Sequence, residues 1–338
     1  MVLQSCLLCE TVQLVANDHV LLLNSAADPF VSMAAQHVSM GTITLAEDNI
    51  ASVGTLLSTS SANMRHVAFH DYILRCPAAT MDVAAMNLLY QPSNAWMYYG
   101  LQVALYALRV GGRLYVTGAK DRGILSVAKR MQEYFGNVET LTISKGQRVL
   151  CSYKATDVAS DSTLPAALIE GVSLQIFADS KLDEGTRLLL DALDVHITDE
   201  ALDIGSGAGF IGLHIARLAS RGHVTMVDAS LAAVAATQQA VAQSGLTNVR
   251  VLPSDGAQAV ITERFDLVVT NPPFHQGGIQ TTAIAERFIR EAAQVLRPQG
   301  RFYLVANRFL KYEPTLRACF KKVEEVGGNT RYKVLRAV

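Results

Sequence analysis

A hydrophobic run, Leu267-Val268-Val269-Thr270, stops abruptly in Asn271-Pro272-Pro273-Phe274-His275. Two consecutive prolines remove two backbone donors and forbid the strand from continuing. A polar amide, fixed carbonyls and an aromatic face are thereby held at a strand's carboxyl end, the edge at which open parallel α/β sheets bind ligands. Asn271, Pro272 and Phe274 make a candidate site for a planar group, with Pro273 and His275 beside it.

A second stretch supplies a cofactor loop. Leu202-Asp203-Ile204-Gly205-Ser206-Gly207-Ala208-Gly209 runs from a strand into a helix through three glycines at alternate positions. Glycine permits positive φ and close backbone approach, so the loop can wrap a cofactor. Such turns occur in NAD-binding and methyltransferase folds alike. With Asp203 two residues before the first glycine, D-x-G-x-G-x-G fits an S-adenosylmethionine loop better than the dinucleotide G-x-G-x-x-G. His223 to Asp228 reads as a strand ending in a carboxylate able to accept two ribose hydroxyls, and Asp255, after the strand Val249 to Leu252, is able to accept from an adenine amino group. Singly, each Asp serves equally as a strand-end cap or turn former. In succession ahead of Asn271, they mark one cleft: Asp203, Gly205, Gly207, Gly209, Asp228, Asp255 and Asn271.

These residues need strands and helices to position them. The first 155 residues alternate: strand at Val20 to Leu23, helix at Pro29 to Gln36, strand at Ile43 to Leu45, then helix around Trp96 to Leu108, strand at Arg113 to Val116 and helix near Ile124 to Phe135. This predicts βαβ units and a parallel sheet. Ala155 to Pro165 is polar and bounded by proline, a linker in texture. After it the alternation returns as a copy. Met81 to Tyr90 lines up with Phe265 to Phe274, pairing Asn87 with Asn271, and Val110 to Val116 lines up with Pro298 to Leu304. The copies differ where chemistry would be done. Leu22 to Phe30 has no glycine, and Leu88-Leu89 stands where the second copy has two prolines. The expected domains are 1–158, a degenerate copy without cofactor, and 159–338, the working copy.

Composition sets bounds. A chain of 338 residues, 50% hydrophobic and 17% charged, suffices for two cores and excludes disorder. The formal net charge of -1 gives no global basic field, yet from Arg287 onward twelve Lys/Arg face four Asp/Glu, an excess that suits either a phosphate backbone or a solvated face. The first basic residue is Arg65 and no apolar run reaches the roughly 18 residues of a membrane span, so a cytoplasmic, membrane-free protein is expected. Five scattered cysteines fit a reducing compartment. Cys6 and Cys9 form a lone C-x-x-C, short of the four ligands of structural zinc, so no metal is expected.

The second copy resembles the class I S-adenosylmethionine-dependent methyltransferases, and Asn271-Pro272-Pro273-Phe274 is similar to their (D/N/S)-P-P-(Y/F) motif for planar nitrogens. The whole chain, degenerate copy included, resembles the ribosomal RNA guanine-N2 methyltransferases of the small-subunit methyltransferase C and large-subunit methyltransferase G group. Phe177 to Thr186 is similar to that group's F-S-x-x-x-L-D-x-G segment, which lies over the cofactor, with Ala178 in place of Ser. The resemblance implies tandem Rossmann-like α/β domains, S-adenosylmethionine as cofactor, and ribosomal RNA or an assembled ribosomal subunit as partner; a monomer is expected, though nothing in the sequence fixes the oligomeric state. It also implies a reaction in which Asn271 and Pro272 accept the two hydrogens of a guanine amino group while Phe274 stacks on the base. His275 is either an aid to proton transfer or a hydrogen-bonded loop residue. N6 of adenine, or a protein glutamine as in release-factor methyltransferases, is the alternative acceptor.

Overall fold

The computed structural model describes residues 2–59, 63–156, 182–273, 275–276, 279–280 and 282–338. The chain divides into two compact units, Met1–Val172 and Ser173–Val338. The expected linker and the 158/159 boundary fall largely or wholly in 157–181, outside the described residues.

The first unit contains strands β1 (His19–Leu23), β2 (Thr42–Glu47), β3 (Met64–Ala68), β4 (Met81–Asn87), β5 (Leu108–Ala119), β6 (Glu139–Ser144) and β7 (Gln147–Tyr153). The second contains β8 (Glu200–Ile204), β9 (His223–Asp228), β10 (Val249–Pro253), β11 (Phe265–Thr270), a short hairpin of β12 (His275–Gln276) and β13 (Ile279–Gln280), then β14 (Leu296–Asn307), β15 (Val323–Gly328) and β16 (Tyr332–Ala337). The seven-stranded sheets have orders β3-β2-β1-β4-β5-β7-β6 and β10-β9-β8-β11-β14-β16-β15, which are the same order twice. In each, five parallel strands end in an antiparallel hairpin at one edge.

Duplication extends to the irregularities. Val83 pairs with Arg113 and Leu267 with Arg301, each just after a register shift in the preceding residues. The turns before those arginines also match, since Gly111 and Gln299 both take positive φ.

In the second unit the sheet is apolar on both faces, as parallel strands covered by helices must be. Ile204, Val227, Val268 and Leu304 pack with Phe288, Ile289 and Ala292 of helix 283–295. Ala201, Met226, Val269 and Val305 pack with Ile211, Ile215 and Ala216 of helix 210–218. Chain order reverses between β8 and β11, so the loops leaving their carboxyl ends flank one crevice. Those loops are the glycine loop and the Asn271 turn. Among the described residues no helix is long and apolar enough to cross a membrane.

Candidate active site

Strand β11 ends at Thr270, whose buried hydroxyl donates to Ile204 O at 2.7 Å and ties the two strand ends together. The next residue, Asn271, is half-buried, and its Nδ2 donates to Thr186 Oγ1 at 2.9 Å and Asp183 Oδ2 at 3.3 Å. Asp183 caps helix 184–192 by accepting from Thr186 N (2.8 Å), and it also accepts from the Thr186 hydroxyl (2.7 Å). A carboxylate only accepts, so the amide face toward Asp183 has to be the NH₂. The carbonyl oxygen Oδ1 therefore points the other way. Pro272 is buried and Pro273 exposed, and Asn271 and Pro272 share a small hollow with Asn307, Leu310, Tyr312 and Tyr332. Phe274 lies outside the described residues, as do 177–181 of the segment predicted to cover the cofactor. His275 opens the β12–β13 hairpin, paired with Gln280.

The glycine loop is fastened from three sides. Gly205 N and Ser206 N donate to Val227 O, Thr237 Oγ1 donates to Gly207 O at 2.8 Å, and Gly207 N donates to Asp228 Oδ2 at 2.8 Å. Asp228 Oδ1 takes Ser230 N at 2.8 Å. The carboxylate is half-exposed beside the loop. A side chain at Gly207 would enter open space above the loop, whereas one at Gly212, on the helix that follows, would collide with the Met226 sulfur.

Asp203 requires a correction. Its spacing puts it among direct cofactor contacts, but the structure encloses it completely beneath the loop, where Oδ2 accepts from Gly212 N at 2.9 Å and Oδ1 has no hydrogen-bond partner among the described residues. The reason is strand alternation: Asp203 shares the face of Ala201, which helix 210–218 covers. Burial pushes its carboxyl up to about 7, with nearby Asp228 adding to the shift. Asp255 follows β10 as expected, and its Oδ1 pairs with Arg287 on helix 283–295. Buried Glu291 on that helix accepts from Ala257 N and Gln258 Nε2, each at 2.8 Å, and so fixes the Asp255 loop. Gly212, Thr237, Arg287 and Glu291 were not legible as site residues, and Thr186 entered only as the last residue of the segment 177–186 that the resemblance lays over the cofactor.

The first copy repeats this architecture closed. Glu47, the counterpart of Asp228, holds Ala26 N and Asn49 N just as Asp228 holds Gly207 N and Ser230 N, but Glu47 is buried. Asn24 takes positive φ where Gly205 does. Asn87 is wholly enclosed, and its Nδ2 donates to Asp28 Oδ2 (2.6 Å) and Ser5 Oγ (3.3 Å), a carboxylate and a hydroxyl like those that hold Asn271. Its Oδ1 accepts from Gln4 Nε2 at 3.0 Å. Gln91 fills the other side, donating to Leu23 O, Asn24 O and Asn87 O.

The basic excess of the C-terminal stretch is largely matched by acids. Arg287, Arg297, Arg301 and Arg308 pair with Asp255, Asp266, Asp199 and Glu325. Lys311, Arg317 and Lys321 carry no ion pair among the described residues, so any phosphate-contacting role would fall to a handful of groups.

A strand-reversal crevice flanked by a glycine loop, two acidic strand ends and an Asn-Pro-Pro turn defines the class I methyltransferase fold. Residues 172–336 match the family described as methyltransferase small domain. The ribosomal RNA small subunit methyltransferase C of Shewanella loihica is 32% identical over 267 residues, covering 76% of this chain and 77% of that one, and that of Pseudomonas entomophila is 31% identical over 275 residues, covering 77% and 80%. The solved structure of the T. thermophilus 16S rRNA N2 G1207 methyltransferase, in complex with AdoMet and guanosine, superposes with a TM-score of 0.82 at 27% identity, over 98% of this chain and 91% of that one. The chain belongs to the ribosomal RNA small subunit methyltransferase C family.

Proposed function

We propose that this protein transfers a methyl group from S-adenosylmethionine to the exocyclic N2 of a guanine in small-subunit ribosomal RNA. The observation that carries the reading is the fixed amide of Asn271. With Nδ2 held by Thr186 and Asp183, Oδ1 is a preset acceptor at the crevice edge. In the first copy the homologous oxygen of Asn87 accepts an amide N–H, which supports the same use of Asn271 toward an amine.

The residues fit the cofactor. Gly207 leaves open space where a side chain would stand, and the buried Ser206 hydroxyl beside it has no hydrogen-bond partner among the described residues. Gly205, Gly207 and Gly209 form the cradle, Asp228 accepts ribose hydroxyls, Asp255 accepts from adenine, Asn271 closes the cleft, and Asp203 braces the loop from beneath. When bound, S-adenosylmethionine supplies a methyl made electrophilic by its sulfonium.

A guanine amino group is a poor nucleophile because its lone pair is delocalised into the ring. Asn271 Oδ1 and the Pro272 carbonyl accept its two hydrogens, orient the nitrogen and favour the positive charge that develops on it. The prolines keep both acceptors from relaxing. Phe274, with Pro273 and His275, contacts the base, and stacking of this kind is worth ~1–3 kcal/mol. The base enters unpaired or flipped. No strong general base is assigned, since a cationic product amine loses its proton readily to water.

The working half is 159–338. The first half takes no cofactor, because Gln4, Gln91 and Asp28 fill its equivalent cleft, and it serves to position RNA or to shield the catalytic half. Calorimetry should give one S-adenosylmethionine per chain, and two would refute this. Nucleoside mass spectrometry of small-subunit RNA, with and without the gene, tests the reaction. Loss of N2-methylguanosine supports it, whereas loss of N6-methyladenosine, or of a methylated glutamine on a release factor, selects an alternative acceptor.

A further inference from the structure

Among the described residues the two asparagine acceptors differ at two positions: Leu89 N donates to Asn87 Oδ1 at 3.0 Å where the aligned Pro273 has no N–H, and a helix side chain reaches the same oxygen where the other helix has a glycine. Helices 3–11 and 184–192 occupy equivalent places in the two copies. Their third residues, Ser5 and Thr186, each donate a hydroxyl to an aspartate, and each pair of groups accepts Nδ2 of the local asparagine. Their second residues are Gln4 and Gly185. Gln4 reaches Asn87 Oδ1, while Gly185 has no side chain to reach Asn271 Oδ1.

The supporting carboxylate has changed place in step. In the second copy it is the helix cap Asp183, and the loop position accepting no side chain is Gly209. In the first copy the cap is Val2, and the carboxylate comes from Asp28, whose backbone N–H bonds Ser25 O as that of Gly209 bonds Ser206 O. Both copies thus orient their asparagine, by different routes. Orientation alone does not separate a working site from a closed one.

We infer that the second helix residue is the gate to the asparagine acceptor: Gly185 leaves Asn271 Oδ1 open to a substrate amine, and Gln4 closes Asn87 Oδ1 with the chain's own amide. This rests on the reading of Asn271 as the amine acceptor. A glutamine NH₂ is the same class of donor as a base amino group. Tethered on a helix, it meets the acceptor at an effective concentration that a free substrate cannot match. The glycine is also hemmed in, because a β carbon there would stand 3.1 Å from Asp183 Oδ1 and 3.3 Å from the Tyr332 ring.

The test is Gly185→Gln beside Gly185→Ala in the full chain, assayed on small-subunit RNA and particles from cells lacking the gene. Gly185→Gln should lower kcat by ~100-fold or more, as removal of a transition-state hydrogen-bonding group does. Its S-adenosylmethionine affinity and unfolding temperature should match those of Gly185→Ala, and a crystal structure should show the introduced amide on Asn271 Oδ1. Gly185→Ala, which adds bulk without a donor, should keep at least about a tenth of wild-type turnover. Equal turnover in the two variants, whether high or lost, overturns the gate. A wild-type chain that makes no N2-methylguanosine overturns the functional reading and the gate with it, whereas an active wild type with an active Gly185→Gln overturns the gate alone.

Discussion

The Asn271 side-chain NH₂ donates to the Thr186 hydroxyl at 2.9 Å across 85 residues of sequence, and that bond, with the Asp183 carboxylate behind it, holds the amide oxygen toward the crevice. Removing it should loosen the acceptor without touching the cofactor cradle. Thr186→Val should cost about 1 kcal/mol of transition-state stabilisation, the typical worth of one hydrogen bond, and appear as several-fold lower kcat at unchanged S-adenosylmethionine affinity. Steady-state kinetics together with calorimetry would show it, and a loss confined to cofactor affinity would contradict the assignment.

Asn271 and Asp228 should separate cleanly. Asn271→Ala should lower turnover by ~100-fold or more while leaving cofactor binding close to wild type. Asp228→Ala should weaken cofactor binding, because it removes the half-exposed carboxylate and also releases the Gly207 amide. Measured Kd and kcat showing the reverse pattern would exchange the two roles.

Asp203 gives stability a pH dependence of known sign. Its folded carboxyl is raised to about 7, so between roughly pH 4 and 7 the native state holds a proton that the unfolded chain has released. Its contribution is complete at lower pH and is lost as pH rises through that window, with a slope approaching ~1.4 kcal/mol per unit. Chemical unfolding of wild type and Asp203→Asn across this range should show that fall in the wild type relative to the variant. Parallel curves would place the proton elsewhere.

Gly212 is required by contact with its neighbours. A methyl there would strike the Met226 sulfur and crowd the Asp203 carboxylate. Gly212→Ala should therefore lower the unfolding free energy by about 1–3 kcal/mol, the ordinary cost of overpacking, and Met226→Ala in the same chain should restore part of it. Absence of rescue in denaturant titrations would mean the strain lies in the helix itself.

Arg301 and Asp199 form a buried, hydrogen-bonded ion pair where β14 enters the second sheet. Arg301→Met leaves Asp199 buried without its partner and should cost about 3–5 kcal/mol. Arg301→Met with Asp199→Leu should recover much of that loss, and purely additive effects in the double-mutant cycle would show that the pair is not coupled.

The amino-acid sequence by itself determined whatever depends on contiguous residues. Val268-Val269 before two prolines has to be a strand that stops, three alternate glycines after Asp203 have to be a loop the backbone can wrap, and the repeat of Asp, Asn and Gly-Arg-aromatic positions announces two copies with one strand order. Spacing fixes such features because φ, ψ and strand alternation are local. Tertiary structure alone decided which side chains meet across the sheet. It turned Asp203 under the loop, set Thr186 and Asp183 behind Asn271, and brought Gln4 onto Asn87 across 83 residues. Those pairings depend on which strand lies beside which and on the angle at which each helix returns to the sheet. For the same reason a glutamine near the amino terminus reads as an ordinary helix residue until the fold lays it across the first copy's acceptor.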